Sequence, residues 1–202
     1  MEKILEVLDE LFPNPKCELE FNKDYELLIA VVLSAQTTDK RVNEVTKILF
    51  EKYKTLEELN EADIDDISKI IKPIGTFNKK SKFIKQICKI LLEKYDGVVP
   101  KSHKELEIIA GVGHKTANVV LGVLYNIPTF AVDTHVSRVS KRLKLVKSND
   151  DVVKVEEKLK NKLSKEKWIK THHQMVLFGR YYCKAKNPSC ENCKLKDICK
   201  EN

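Results

Sequence analysis

Four cysteines near the end of the sequence have the spacing of a metal-binding group. They follow the pattern C-x6-C-x2-C-x5-C and are Cys183, Cys190, Cys193 and Cys199. Thiols this close together in a reducing compartment indicate a metal site. Zinc sites usually contain two close pairs, whereas this run has one close pair and longer spacers, which favour the larger [4Fe–4S] cluster. Zinc, disulfides and unligated thiols are the alternatives at this point.

Positive charge surrounds these cysteines and would offset the negative charge of four thiolates. The interleaved lysines are Lys184, Lys186, Lys194, Lys196 and Lys200. The other two cysteines, Cys17 and Cys88, stand apart from the group, and Cys88 falls on the apolar face of a predicted helix. We interpret both as small, unreactive core side chains.

The segment 111–115 combines a tight turn with a basic side chain. Gly111 and Gly113 permit a tight backbone and remove side chains from the tip of the turn. The N–H groups of the following helix could then face outward and bind a phosphate, although glycine is also common in ordinary turns at helix ends. Lys115 falls in the first turn of that helix, where the helix dipole disfavours a proton on the amine. A neutral lysine can form a Schiff base, and an ordinary surface lysine is the alternative.

Three further polar residues occupy predicted helix ends. Asp133 opens a helix and is expected to cap it, and its second oxygen could take up a proton or stabilise a developing cation. His135 is interpreted as a packed structural imidazole, with a catalytic role as the alternative. Gln36 follows a buried segment, and its position alone predicts only a solvated loop side chain.

Charge is distributed along the sequence in blocks. Residues 69–104 and 141–202 carry net charges of +8 and +9, whereas residues 1–68 carry −9 and residues 105–140 carry −1. Two basic blocks around a near-neutral centre suit a polyanion such as nucleic acid. A lysine-rich surface without such a partner is the alternative, because only 4 of the 37 basic residues are arginine and Lys/Glu enrichment also marks thermophiles.

The elements that position these residues are predicted to be helices. A hydrophobic content of 42% and a charged content of 33% predict a soluble, globular chain, and 202 residues suffice for one or two domains. Only 12 residues are glycine or proline, which disfavours a turn-rich β fold. The longest apolar run, Leu27–Leu33, is too short to span a membrane, and the acidic start lacks the order of a signal peptide. We therefore expect a cytoplasmic protein with reduced thiols.

Apolar periodicity and capping patterns predict helices along the whole chain. Tyr25–Ser34 is a nearly continuous apolar segment, too long for a typical strand, and is predicted to be a buried helix. Capping patterns mark helix starts at Asp39, Thr55 with Glu58, Ser102 with Glu105, Asp133 and Ser148–Asp151. The short helix that opens at Ser102 is expected to end at Ile109. No strand pattern is convincing, so the predicted fold class is all-α.

Taken together, these motifs resemble the endonuclease III family of helix-hairpin-helix DNA glycosylases, and the resemblance covers essentially the whole chain. The matching pieces are LSAQTTD at 33–39, IGTFNKK at 74–80, GVGHKTANVVL at 111–121, VDTHVSRV at 132–139 and the cysteine run. Each piece is weak alone, but their combination and order are highly specific. Four residues depart from the family pattern: His114 replaces a frequent arginine, Ala110 a frequent proline, and Thr76-Phe77 the usual residues before Asn78.

The resemblance implies a two-domain, all-α helix-hairpin-helix glycosylase fold with a DNA cleft between the domains. A six-helix domain at 21–127 would carry the hairpin. Residues 1–20 and 128–202 would form a discontinuous cluster domain, with a [4Fe–4S] cluster bound by the four cysteines in the loop 183–199. The expected partner is damaged double-stranded DNA, acted on by a monomer associated with the nucleoid and not with a membrane.

The resemblance also implies an activity and residue roles. The protein would be a bifunctional DNA glycosylase and AP lyase of base excision repair, removing oxidised pyrimidines through a lysine Schiff base and cutting the strand by β-elimination. Lys115 would be the nucleophile and Asp133 the catalytic carboxylate. Gln36 would fill the gap left by the extruded base. The residues implied to contact DNA are Gln36, Gly111, Val112, Gly113 and His114.

Two alternatives to this function stay open on the sequence. The first is a mismatch-specific glycosylase of the same superfamily. Adenine-removing relatives carry a catalytic glutamate near the position of Ala30, and thymine–guanine relatives usually replace the lysine by tyrosine, so Ala30 and Lys115 argue against it. The second is a non-enzymatic, metal-bearing DNA-binding module, which would not cleave an abasic site.

Overall fold

The computed structural model describes residues 1–199, and over this range the chain forms helices and no β-strand, as predicted. The chain divides into two compact units. The continuous unit is Glu18–Tyr125, and the discontinuous unit is Met1–Cys17 together with the chain from Asn126 onward. Lys200, one of the lysines expected beside the cysteines, lies outside the described residues. Among the helices of the described range, none is long and apolar enough to cross a membrane.

The continuous unit is built around one buried helix. Its helices are α2 (Asp24–Leu33), α3 (Asp39–Lys52), α4 (Leu56–Glu61), α5 (Ile64–Ile71), α6 (Phe77–Tyr95), α7 (His103–Glu107) and α8 (His114–Tyr125). All residues of Tyr25–Leu33 are buried, and α2 packs against α3, α6 and α8. The long apolar segment of the sequence is thus a core helix, as predicted, and its ends reach the surface where the next segments begin.

Local capping explains where several of these helices start. Thr55 and Glu58 form the predicted capping box at α4. The prediction that Asp39 caps α3 is wrong, because the Thr38 hydroxyl accepts the hydrogen bond from the Arg41 N–H at 3.3 Å and Asp39 is already helical. Helix α7 ends two residues before the predicted Ile109.

The discontinuous unit joins the start of the chain to its last helices. Its helices are α1 (Glu2–Leu11), α9 (Thr134–Arg142), α10 (Val152–Lys162) and α11 (Trp168–Tyr181), with single 3-10 turns at Lys165–Lys167 and Lys196–Ile198. Helix α11 packs against both α9 and α1. The Gln174 side chain on α11 donates hydrogen bonds to Asp9 Oδ1 at 2.8 Å and to the Phe12 carbonyl at 3.0 Å. These bonds fasten α1 to a helix that lies more than 160 residues later in the chain.

Candidate functional site

The turn between α7 and α8 requires a glycine at position 111. Gly111 has a φ of +81°, in the left-handed region that other residues rarely adopt. A Cβ atom at Gly111 would lie 2.8 Å from Phe83 Cδ2 and 3.0 Å from Val32 Cγ1, closer than packed side chains allow. Both backbone conformation and packing against α6 and α2 therefore determine this residue.

Gly113 has a different environment from Gly111. It is exposed, and a Cβ atom added there would meet no atom of residues 1–199 within 4 Å. Its carbonyl accepts the Ala117 N–H at 3.0 Å, so Gly113 is the N-cap residue of α8 but offers no side chain to cap it. Among the described residues, no packing contact around Gly113 requires glycine, and the position contributes no side chain at the start of α8.

Val112 anchors the hairpin between the two glycines. Its side chain is buried, and its N–H donates to the Ile109 carbonyl at 3.0 Å.

Lys115 follows in the first turn of α8, as predicted, and is half-buried. The residues from Ala117 to Gly122 are buried, and α8 packs on α2. Lys115 is thus held on a well-packed helix while its side chain stays accessible.

His114 is exposed and belongs to a small polar cluster. Its Nδ1 atom lies 3.3 Å from Glu107 Oε1, and its ring stacks on His103 with 4.8 Å between ring centroids. His103 and Glu107 are four residues apart on α7 and therefore share one helix face. This i,i+4 pair is the one signal of the cluster that the sequence carries.

Gln36 lies at the tip of a loop that a buried lysine holds in place. Gln36 is exposed and has a φ of +57°. Lys80 on α6 is only 3% exposed, and its amine donates to the Leu33 carbonyl at 2.9 Å, the Ala35 carbonyl at 2.7 Å and the Thr37 hydroxyl at 3.2 Å. Burial lowers the pKa of Lys80. Sequence reasoning missed Lys80, although it lies within the quoted IGTFNKK motif.

Asp133 forms the predicted cap at the start of α9. Its Oδ1 atom accepts the Val136 N–H at 2.8 Å. The residue is half-buried and borders an open pocket that Arg138 and Lys141 also line. Because the cap uses one carboxylate oxygen, the second can interact with a ligand in this positively charged pocket.

The neighbours of His135 fit the interpretation of a structural imidazole. Arg138 donates to the Gly179 carbonyl at 2.7 Å and the Cys183 carbonyl at 3.0 Å, and its guanidinium also lies 3.3 Å from His135 Nδ1. A Cβ atom on Gly179 would lie 2.9 Å from His135 Cβ, so α9 and α11 approach closely at this point. His135 therefore lies at a packed helix crossing.

The four clustered cysteines line one cavity of the discontinuous unit, and none of them is in a disulfide. Leu143 and Phe178 form part of its apolar wall. The Arg142 guanidinium lies 3.5 Å from Cys183 Sγ and donates to the Lys184 carbonyl at 2.7 Å. This arginine at the end of α9 adds to the lysines that the sequence predicted as counter-charge.

The chemistry of this donor set fits a cationic metal group. Burial, with a smaller contribution from the other three thiols, raises the pKa of Cys193. Metal ligation would supply the positive charge that stabilises a thiolate at this position. Four cysteines around a single cavity match the ligand number of a [4Fe–4S] cluster and of a structural zinc ion.

The helix-hairpin-helix of α7 and α8 defines the class of the protein. Residues 29–165 match the model of the HhH-GPD superfamily of base excision DNA repair proteins. Endonuclease III of Bacillus subtilis is 45% identical over 201 residues, which cover 100% of this chain and 92% of the relative. The chain therefore belongs to the endonuclease III family.

Solved structures of the family agree with this assignment over the whole fold. A trapped covalent endonuclease III–DNA intermediate, in an estranged-adenine complex, is 47% identical with a TM-score of 0.94, covering 98% of this chain and 92% of that chain. A non-covalent endonuclease III–DNA complex is 46% identical with a TM-score of 0.96, covering 99% of this chain and 94% of that chain.

Proposed function

We propose that the protein is a bifunctional DNA glycosylase and AP lyase of base excision repair that removes oxidised pyrimidines from duplex DNA. The observation that carries this proposal is Lys115, an accessible amine in the first turn of α8, directly after a hairpin with an open tip. Membership of the endonuclease III family supports the same reaction. The protein would act as a cytoplasmic monomer on the DNA of the nucleoid.

The hairpin would bind the DNA backbone. Helix N-termini attract phosphate through their free N–H groups and dipole, and the absence of a side chain at Gly113 leaves room for a phosphate to approach. Gly111 and Val112 shape and anchor the turn, and His114 adds a polar contact at its edge. Chemistry at C1′ requires the damaged nucleotide to leave the stack, and Gln36, on its Lys80-supported loop, would occupy the vacated space.

Lys115 would be the nucleophile of the reaction. Its neutral amine attacks C1′, the bond from C1′ to the base nitrogen breaks, and the base leaves with a proton. Opening of the sugar gives an imine between the lysine nitrogen and C1′. The imine acidifies C2′, and loss of a C2′ proton breaks the C3′–O bond, so the strand is cut 3′ to the lesion.

Asp133 would be the carboxylate of the same reaction. Its Oδ1 atom stays in the helix cap, while the second oxygen stabilises the cationic sugar as the base departs and accepts protons in the later steps. The cap keeps the carboxylate in one position throughout, which reduces the cost of reorganising it during the reaction.

The four cysteines would hold a [4Fe–4S] cluster as a structural group of the discontinuous unit. When bound, the cluster ties the loop 183–199 together and keeps its lysines in place for contact with phosphates. Arg142 offsets the negative charge at Cys183. Chemical analysis of anaerobically purified protein should find four iron atoms and four sulfides per chain, whereas one zinc ion without sulfide would contradict the cluster.

Reductive trapping tests the proposed activity. With an oligonucleotide that contains an oxidised pyrimidine or an abasic site, borohydride should reduce the imine and leave a stable protein–DNA adduct. Lys115→Ala should abolish the adduct while thermal unfolding and DNA binding stay close to the parent. Lys115→Arg should fail as well, because a guanidinium keeps its proton and does not attack. An adduct formed by Lys115→Ala at the parental rate would assign the reaction to another amine.

A panel of duplexes with single lesions distinguishes this function from mismatch repair. Ala30 is fully buried in α2, and Lys115 is present, which disfavours the adenine-removing and thymine-removing alternatives. Oxidised pyrimidines should be removed much faster than thymine or adenine in mismatches. A protein that binds these duplexes but cleaves neither them nor an abasic site would be a DNA-binding module.

A further inference from the structure

Three side chains beside the hairpin bring potential metal ligands together, apart from Lys115, Asp133 and the cysteines. They are His103 and Glu107 on α7 and His114, the first residue of α8. One ligand atom from each lies within 4.8 Å of the other two. Glu107 Oε1 lies 3.4 Å from His103 Nδ1 and 3.3 Å from His114 Nδ1. Both imidazole rings therefore direct a nitrogen toward the same carboxylate oxygen.

These spacings match the edges of a metal coordination tetrahedron. Zinc binds histidine nitrogen and carboxylate oxygen at about 2.0–2.2 Å, so two ligands of one tetrahedral ion lie about 3.3–3.6 Å apart. The two nitrogen–oxygen distances at Glu107 are 3.4 and 3.3 Å. The ligand atoms of the two imidazoles lie within 4.8 Å of each other, so a shared ion would draw the two stacked rings closer together.

Asn118 on α8 orients His103 for ligation. His103 Nε2 lies 2.8 Å from Asn118 Oδ1, and an amide oxygen can only accept, so the Nε2 atom carries the hydrogen. In the neutral ring the Nδ1 lone pair then points toward Glu107 Oε1, which is itself an acceptor. A proton or a metal ion can lie between these two atoms, and metal-bound histidines typically have such a support on their second nitrogen.

We propose that His103, Glu107 and His114 form a binding site for one divalent transition-metal ion of the zinc type, with its fourth coordination position open. Two imidazoles and one carboxylate favour zinc and its neighbours over magnesium and calcium, which prefer all-oxygen sites. The site joins α7 to the first residue of α8, so the ion would brace the two helices on either side of the hairpin.

The ion would also change the sign of the charge beside the hairpin. Without it, the group carries the single negative charge of Glu107, and with it the net charge becomes +1. This consequence rests on the proposed function, because a positive site next to Gly113 attracts a DNA phosphate whereas a negative one repels it.

Zinc titration of the whole protein tests the site. Protein with its cysteine group intact is freed of loose metal with a chelator and titrated with zinc by calorimetry. We expect one site per chain that is lost in Glu107→Gln and in His103→Asn but kept in Glu105→Gln, which makes the same charge change on α7 outside the cluster. Equal zinc binding by the parent and Glu107→Gln would overturn the proposal.

X-ray absorption at the zinc edge identifies the ligands. Nitrogen and oxygen at about 2.0–2.1 Å with no sulfur shell near 2.3 Å would support this site, and a sulfur shell would place the ion on the cysteines and overturn it.

DNA affinity tests the consequence separately. With a duplex that contains an uncleavable abasic-site analogue, one equivalent of zinc should tighten binding at least about threefold for the parent and leave Glu107→Gln unchanged. Unchanged affinity of zinc-loaded parent protein would overturn the charge effect. Zinc binding without any DNA binding would instead contradict the proposed function and leave the metal site standing.

Discussion

The starts of α8 and α9 are the same kind of structural element, but the protein completes them in opposite ways. Helix α9 receives its cap from within the chain, because the Asp133 carboxylate accepts the Val136 N–H. Helix α8 has Gly113 at its N-cap position, which contributes no side chain and where an added Cβ atom would meet no described residue within 4 Å. One helix start is closed by its own carboxylate, and the other stays accessible to an anion from outside.

The difference shows how identical backbone groups can serve different tasks. A capped N-terminus keeps its carboxylate in a defined position, which suits a group that handles protons. An uncapped N-terminus keeps the attraction of its N–H groups and dipole for a ligand, which suits phosphate binding. Gly111, in the same turn, does not form part of a helix start. Tight packing and a positive φ are the reasons that this position is glycine.

The largest expected effect separates the cap formed by Asp133 from its proposed catalytic role. Asparagine caps helices about as well as aspartate, so Asp133→Asn should change the free energy of unfolding by less than about 0.5 kcal/mol. Because asparagine has no negative charge and does not accept a proton, base removal should slow by about 10²- to 10⁴-fold. Single-turnover kinetics and chemical denaturation measure the two effects.

Asp133→Ala provides the matched comparison. It should lose the same activity and in addition about 1 kcal/mol of stability, because alanine leaves the first turn of α9 without its cap. Activity of Asp133→Asn near the parental rate would mean that Asp133 is only a cap.

Gly111→Ala should cause one of the two largest losses of stability. The new Cβ atom would meet Phe83 and Val32 at 3.0 Å or less, and the residue would keep an unfavourable positive φ. Together these costs should reduce the free energy of unfolding by about 2–4 kcal/mol. Urea denaturation measures the loss, and a Gly111→Ala protein as stable as the parent would show that the hairpin has another conformation.

Lys80 does for the end of a helix what Asp133 does for the start of one. Its buried amine donates hydrogen bonds to carbonyl groups at the C-terminal end of α2. Lys80→Met should leave the Leu33 and Ala35 carbonyls without their donor and cost about 2–4 kcal/mol of stability. Hydrogen exchange should also become faster in the loop that holds Gln36. Lys79→Met, the same change at the exposed neighbouring position, should alter stability by less than about 0.5 kcal/mol.

Gly113→Asp should have the smallest main effect of these variants. It is also the most direct test of the difference between the starts of α8 and α9. It gives α8 the cap that α9 already has, and the space around Gly113 accommodates the side chain. Stability should stay equal or rise by up to about 1 kcal/mol, whereas DNA affinity should fall at least about tenfold because a carboxylate now occupies the phosphate position. Undiminished DNA affinity, measured by fluorescence anisotropy, would show that no phosphate binds there.

Sequence reasoning predicted the features that depend on local patterns. The apolar run of α2, the capping box at Thr55 and the cap at Asp133 need only neighbours within four residues, and the structure confirms them. Lys80 and Arg142 could not be recognised in this way, because each acts on partners more than 40 residues away. Thr38 was missed for a simpler reason, since two adjacent residues can both cap a helix and only the backbone conformation decides between them.

The attachment of α1 to α11 has a consequence for synthesis of the chain on the ribosome. The apolar residues Ile4, Val7 and Leu8 emerge first, yet the helix that covers them is completed only at Tyr181. The continuous unit has all its partners once residue 125 has left the exit tunnel and can fold while synthesis continues. For most of translation the apolar face of α1 is therefore exposed. This face is where we expect chaperones to bind, and where misassembly would begin if translation stalled before α11.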